Sequence, residues 1–281
     1  MSATKVTRHE TRKYVRPLPV EEREQAAIHT YEDELAVEEP LEIHIHNQPV
    51  TMLLRTPGDD YDLVAGFLYT EGIIRNDRDL GTIRHTPSPD NPDIRDNIIN
   101  VTFAEGYKYD LSQMSRHHYA GGGGGVTAKG MIEAFASRVQ PVDAEVKVPI
   151  PTLYDLAAGL RRAQTHADRM GGLNAAALFD RRGTLRMFRE DVGRHNSVDK
   201  SFGAMLLQSV ESLADDILLL SGRASYEIVR KAVVARIPMI GCSGTPSSMA
   251  VELAREFGVT IIVFSGSGEM NVYTHPERIE V

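Results

Sequence analysis

The sequence predicts an α/β protein in two parts: a larger C-terminal α/β domain and a smaller N-terminal α+β domain. Three observations carry this. From about residue 150 onward, apolar runs of strand length alternate with segments of helical spacing, the rhythm of helices layered on a mostly parallel sheet. Before residue 115 the order is different: a period-two hairpin, one helix, then another strand. The chain has 281 residues and is 42% hydrophobic, which supports a core of domain size.

Residues 1–30 are charged with few apolar positions and are expected to form an arm, ordered only in part. The domain assigned to 31–120 begins with "LEIHIHNQPVTMLLRTP". Leu41, Ile43 and Ile45 alternate with Glu42, His44 and His46, and a turn at Asn47-Gln48 leads into a second apolar run, Val50 to Leu54. Asp59 or Asp60 can cap a helix with Leu63, Val64, Phe67 and Leu68 on its apolar face, ending near Gly72. Residues 86–97 read as a proline- and aspartate-rich loop, and "IINVTF" as a strand.

The domain assigned to 121–281 opens on five glycines, Gly121 to Gly125, ahead of a helix-like segment. Glycine loses the most backbone freedom on ordering, so such a loop is costly to fix. A helix with proline at its start follows in "PTLYDLAAGLRRAQTHADRM". "NAAALFD", "RRG" and "TLRMFRE" give strand, turn and strand, and "GRHNSVDKSFGAMLLQSV" a helix. "DILLLS", "PMIGC" and "VTIIVF" are the next strands, with helical segments "SYEIVRKAVVARI" and "SSMAVELAREFG" between them.

Composition narrows the function classes. A net charge of −8 argues against general nucleic-acid binding. No run of eighteen apolar residues reads as a membrane span, and the N-terminus lacks the apolar stretch of a secretory signal. Cys242 is the single cysteine, so neither an internal disulfide nor an all-cysteine zinc site can form. A soluble, cytoplasmic protein is expected.

Ligands of open α/β sheets bind beyond the carboxyl ends of the strands. Those ends here are "SGRAS" (221–225), "CSGTPSS" (242–248) and "FSGSGE" (264–269). Small polar loops offer N–H groups and hydroxyls to phosphate, and they also make ordinary tight turns. "REDVGRHNSVDK" (189–200) is dense in ionisable groups. It reads either as a ligand cluster using Arg194, His195 and Asp199, or as a solvated helix face. His44 and His46 share a strand face that could bind metal or could simply be exposed. Cys242 is either a buried small hydrophobe or a reactive thiol.

Together "GGLNAAALFD", "REDVGRHNSVDK", "SGRAS", "IPMIGCSGTPSSMAVELA" and "NVYTHPERI" resemble the FdhD family, the formate dehydrogenase accessory sulfurtransferases. "EEPLEIHIHNQPVTMLLRTPGDDYDLVAGFLYTEGII" looks like the same family's N-terminal part, so the resemblance covers about residues 32–281. It implies a cytidine-deaminase-like C-terminal domain and, as partners, formate dehydrogenase, a cysteine desulfurase and a second copy in a homodimer. It also implies a sulfur carrier: sulfur passes from the desulfurase, as a persulfide on a Cys-x-x-Cys loop, to the molybdenum cofactor in its bis-guanine dinucleotide form. The resemblance places the guanine dinucleotide near Ser265, Gly266, Ser267, Gly268, Glu269 and Met270. The loops suggest Ser221, Gly222 and Arg223 as further contacts, with Arg223 on phosphate.

Two positions depart from that family. Its loop aligns with "GGGGVTAK", which puts Gly124 and Thr127 where the two cysteines belong. Neither can hold a persulfide. Asn174 stands where the family commonly has histidine, so an imidazole is replaced by an amide. A zinc deaminase is excluded on its own terms, since Asn174-Ala175-Ala176 cannot supply the H-x-E ligand motif. Two readings remain open: a sulfur carrier using Cys242 or a partner's thiol, and a cofactor-binding or delivery protein that carries no sulfur.

Overall fold

The computed structural model describes residues 6–15, 27–87, 96–109, 127–164, 172–265 and 268–281. The architecture is mixed α/β, as the sequence predicts. Strands β1 (Val6–Val15) and β2 (Ala27–Ala36) pair antiparallel as a two-stranded ribbon. Part of the expected arm is therefore regular structure, and position 30/31 falls inside β2. The pairing is helped by opposite charge across the strands, as in Arg8 against Glu34.

Strands β3 (Glu39–Ile45), β4 (Gln48–Arg55), β5 (Leu80–His85) and β6 (Ile98–Phe103) form a four-stranded sheet in the order β4-β3-β6-β5. The period-two pattern does what it predicts: Leu41, Ile43 and Ile45 are fully buried, while Glu42 and His44 face the other side. The hairpin turn is His46-Asn47, one residue earlier than expected, with φ of 51° and 65°. Two successive positive φ values match the right-handed twist of the strands. His46 thus sits in the turn, its ring edge-on to Phe103, and does not share a strand face with His44. Helix α1 (Asp60–Thr70) covers the buried face of this sheet with Leu63, Val64, Phe67 and Leu68.

The second part contains α2 (Ala128–Ala136), β7 (Val148–Pro149), α3 (Ile150–Ala163), β8 (Asn174–Asp180), β9 (Leu185–Asp191) and α4 (Arg194–Leu207). Then come β10 (Asp216–Arg223), α5 (Tyr226–Val234), β11 (Met239–Gly244), α6 (Ser248–Glu256), β12 (Thr260–Phe264), β13 (Met270–Val272) and β14 (Ile279–Glu280). The sheet order is β13-β12-β11-β10-β8-β9. β10, β11 and β12 are parallel, while β8, β9 and β13 run antiparallel to their neighbours. Ser225 and Ser247 cap α5 and α6 by accepting the N–H groups of Ile228 and Ala250.

Both faces of this sheet are buried, and the alternation along β8 shows it. Ala176 and Leu178 face α4, α5 and α6, whereas Ala175, Ala177 and Phe179 face α3. Helix α4 is the exception to one-sided patterning: from Asn196 to Leu206 every residue is buried. It lies between the large sheet and α1, so no side of it is left for solvent. The crossing of α1 and α4 requires glycine. A Cβ at Gly66 would lie 1.8 Å from Asp199 O, and one at Gly203 would lie 1.9 Å from Asp62 O.

Candidate functional site

The three serine- and glycine-rich segments lie at the carboxyl ends of adjacent parallel strands. Arg223 stands opposite Gly244 in register, and Cys242 opposite Val263. Because β8 is antiparallel to β10, its first residue arrives at the same edge, and so does the last residue of β9. Asn174 therefore meets Gly222, where a Cβ would lie 3.2 Å from Asn174 Oδ1. This edge collects Asn174, Asp191 and Ser221 to Arg223 from three strands, together with Ser265 just past the end of β12.

Ser221 is held by the sheet: its hydroxyl oxygen accepts from Ala175 N–H at 2.8 Å, and its carbonyl accepts from the Ser243 hydroxyl. Arg223 is exposed and makes no ion pair among the described residues. Ser265 caps the β12–β13 turn, donating its hydroxyl to Glu269 O at 2.9 Å. Gly268 and Glu269 are exposed and Met270 is half-buried. Gly266 and Ser267 lie outside the described residues.

The charged run after β9 is neither a solvated face nor a set of free ligand groups. Asp191 and Lys200 are fully buried and paired at 2.7 Å. The Asp191 carboxylate also accepts from Gly193 N–H at 2.8 Å, Asn196 Nδ2 at 3.0 Å and Thr56 N–H at 3.1 Å. Asp199, expected to be available to a ligand, is buried against α1 and α5. It accepts from Lys231 Nζ at 2.9 Å on both oxygens and from the Thr70 hydroxyl at 2.8 Å. Burying a charge demands such partners, and here they come from both domains.

Arg194 and His195 remain at the edge. Arg194 Nε is buried and has no partner among the described residues. His195 Nε2 lies 3.1 Å from the Ser225 hydroxyl and 3.9 Å from Glu227. Burial, and next the Arg194 charge, hold the imidazole pKa below its ordinary value.

Neither thiol position of the resemblance offers sulfur chemistry. Gly124 lies outside the described residues, as do the other four glycines of that loop. Thr127 is the N-cap of α2, its hydroxyl accepting from Gly130 N–H at 3.1 Å. Cys242 is 1% exposed and donates to Gly244 O at 3.2 Å. Burial pushes its thiol up to about 11, so thiolate is scarce at neutral pH.

His275 and Arg278, which end the chain's last motif, are structural. His275 Nε2 meets Arg255 O at 3.1 Å, and Arg278 bonds Ala144 O and Thr260 Oγ1 at 3.2 Å. Nothing in the sequence signals Thr56 at the edge, because its partners lie 135 or more residues away along the chain.

A family model described as the FdhD/NarQ family matches residues 36–280. A relative from Mycolicibacterium paratuberculosis, named Sulfur carrier protein FdhD, is 43% identical over 248 residues, covering 87% of this chain and 91% of its own. One of the same name from Sulfolobus acidocaldarius is 36% identical over 250 residues, covering 89% and 92%. A crystal structure of a candidate formate dehydrogenase accessory protein from Desulfotalea psychrophila matches with a TM-score of 0.73 over 99% of this chain and 100% of that one. Its identity of 22% makes it a likeness of fold alone. With the family match spanning nearly the whole sequence, this chain belongs to the FdhD/NarQ family.

Proposed function

We propose that this protein serves formate dehydrogenase maturation by binding the molybdenum cofactor through its guanine dinucleotide, and that no thiol of its own carries the sulfur. The cargo is a substrate here, not a resident group. The edge fits it. Arg223 is an exposed guanidinium for phosphate, Arg194 keeps a buried Nε without a partner among the described residues, and Asn174 presents an amide at the same edge. Ser221 shares β10 with Arg223, and Ser265 and Met270 stand at the same edge beyond β11.

The observation that carries the second half is Cys242. It is the only cysteine, it is buried, and its thiol donates into the β11 loop. Sulfur carriage is favoured by the names of the relatives. In this chain it would require Cys242 to leave the core, or a thiol supplied by a partner such as a cysteine desulfurase. Formate dehydrogenase is the enzyme served, the setting is the cytoplasm, and a homodimer is the proposed assembly. No helix among the described residues is long and apolar enough to cross a membrane.

Calorimetry with GDP tests the binding. Wild type should bind, and Arg223→Ala should weaken binding roughly tenfold to a hundredfold, the worth of a hydrogen bond to a charged group. No heat at millimolar-order GDP with an intact circular dichroism spectrum would sink the nucleotide reading. Mass spectrometry after incubation with a cysteine desulfurase and cysteine tests the rest. No peptide should gain a sulfur atom, whereas a persulfide on Cys242 would establish the sulfur-carrier reading instead.

A further inference from the structure

We propose that Thr56, a residue of the N-terminal domain, is a positioning residue for the cargo site and acts through Val192 on the Asn174 amide. The idea rests on the nucleotide reading of the strand edge. Each backbone polar group of Thr56, and its hydroxyl oxygen, is taken by the C-terminal domain. Its N–H donates to Asp191 Oδ2 at 3.1 Å, its Oγ1 accepts from Val192 N–H at 3.1 Å, and its carbonyl accepts from Lys200 Nζ at 2.8 Å. Thr56, Asp191 and Lys200 are all fully buried. Next to them Asn196 Nδ2 donates to Leu54 O at 2.7 Å, so the end of β4 is tied down as well.

Gripped in this way, Val192 turns its carbonyl to Asn174 Nδ2 at 2.9 Å. A carbonyl can only accept, so Asn174 must spend its NH2 group there. Its Oδ1 then points to the Gly222 side, where a Cβ at 222 would lie 3.2 Å away. Asn174 is half-buried. The result is a fixed acceptor at the edge, suited to an N–H or O–H of the cargo; guanine and ribose both carry such donors. Without the grip of Thr56 on Val192, the terminal amide torsion is broad and roughly two-fold, so the amide can present either end. Thr56 makes this choice without touching the cargo.

Thr56→Val keeps the side-chain shape and deletes the acceptor, while Thr56→Ser restores it. In the free protein, NMR should show faster solvent exchange of the Asn174 side-chain NH2 in Thr56→Val and wild-type exchange in Thr56→Ser; Asn174→Ala assigns that signal by removing it. GDP affinity should fall about fivefold in Thr56→Val, the size of one net hydrogen bond, and recover in Thr56→Ser. On the Asn174→Ala background, Thr56→Val should cost no further affinity. Additive losses, or unchanged Asn174 exchange in Thr56→Val, would overturn the proposal. Should Thr56→Val not fold, wild type decides: an Asn174 NH2 without exchange protection overturns it. Absence of GDP binding by wild type would strike at the nucleotide reading, while the exchange measurements on free protein still decide whether Thr56 orients Asn174.

Discussion

Gly203→Ala sets two physical effects of opposite sign against each other. In an isolated helix the change would stabilise by about 1 kcal/mol, because alanine is the better helix former. At the α1–α4 crossing the new Cβ would lie 1.9 Å from Asp62 O and 2.5 Å from Gly66 N, both backbone atoms that no side-chain rotation can move. An ordinary carbon–oxygen contact is about 3.4–3.5 Å, so the helices must part by roughly 1.5 Å. Parting them strains two contacts across the domains: Arg189 Nη2 to Asp62 at 2.7 Å and the Thr70 hydroxyl to Asp199 at 2.8 Å. Overpacking costs about 1–3 kcal/mol and more where backbone must shift. We expect the upper end, leaving a net loss of about 2 kcal/mol. For a chain of this size that lowers Tm by roughly 4–8 °C. Differential scanning calorimetry measures it directly. Gly66→Ala/Gly203→Ala should lose less than the sum of the single variants, since one separation relieves both clashes. An unchanged or raised Tm for Gly203→Ala would refute the close-crossing argument.

Lys231→Ala should cost about 3–5 kcal/mol in urea unfolding, because Asp199 is left charged and buried without its 2.9 Å partner. Lys231→Ala with Asp199→Ala should recover part of that loss. His195 should titrate below an ordinary histidine in an NMR pH series. Since its folded pKa is depressed, the unfolded chain binds the proton more readily. Stability is therefore lost as pH falls below the unfolded value of about 6.5 and levels off below the folded one; His195→Gln should flatten that part of the urea-midpoint profile, and an unchanged profile would remove His195 as its cause. Native Cys242, with its thiol pushed up to about 11, should react with iodoacetamide at pH 8 far more slowly than in denatured protein; equal rates would contradict its burial.

What was legible in the sequence follows from how locally each pattern is determined. The β3–β4 hairpin and the strands β10, β11 and β12 read correctly because burial imposes a period of two or a continuous apolar run. The alignment of "SGRAS", "CSGTPSS" and "FSGSGE" on one edge followed from parallel strand order, which βαβ spacing dictates. β5 was missed because it is a partly exposed edge strand: Gly81, Thr82 and Arg84 are exposed, so it lacks an apolar run. The ribbon of β1 and β2 is not legible because its strands are rich in charged and polar residues and so mimic an arm. Within the run at 189–200, Asp191, Asp199 and Lys200 are buried in ion pairs for a deeper reason. A charged helix start normally faces water, and only the packing of α1 and the loop after β4 against it turns these charges inward. No local pattern encodes a partner 129 or more residues away.

That buried clamp also bears on why the site is built with charges at all. A buried ion pair is not a strong source of stability, since well-packed apolar residues of similar volume often do as well or better. An apolar plug between Thr56 and α4 could hold the domains together. It could not choose a direction for the peptide groups around Val192. The Asp191 carboxylate accepts from Gly193 N–H and Thr56 N–H at once, and thereby joins the turn that follows β9 to the loop that follows β4. Thr56 in turn fixes the N–H of Val192, and Val192 fixes Asn174. Each link is directional, and none involves a thiol or the glycine loop. The geometry of the strand edge is therefore independent of where the sulfur comes from, and under the proposed function cargo binding and sulfur supply would be separable.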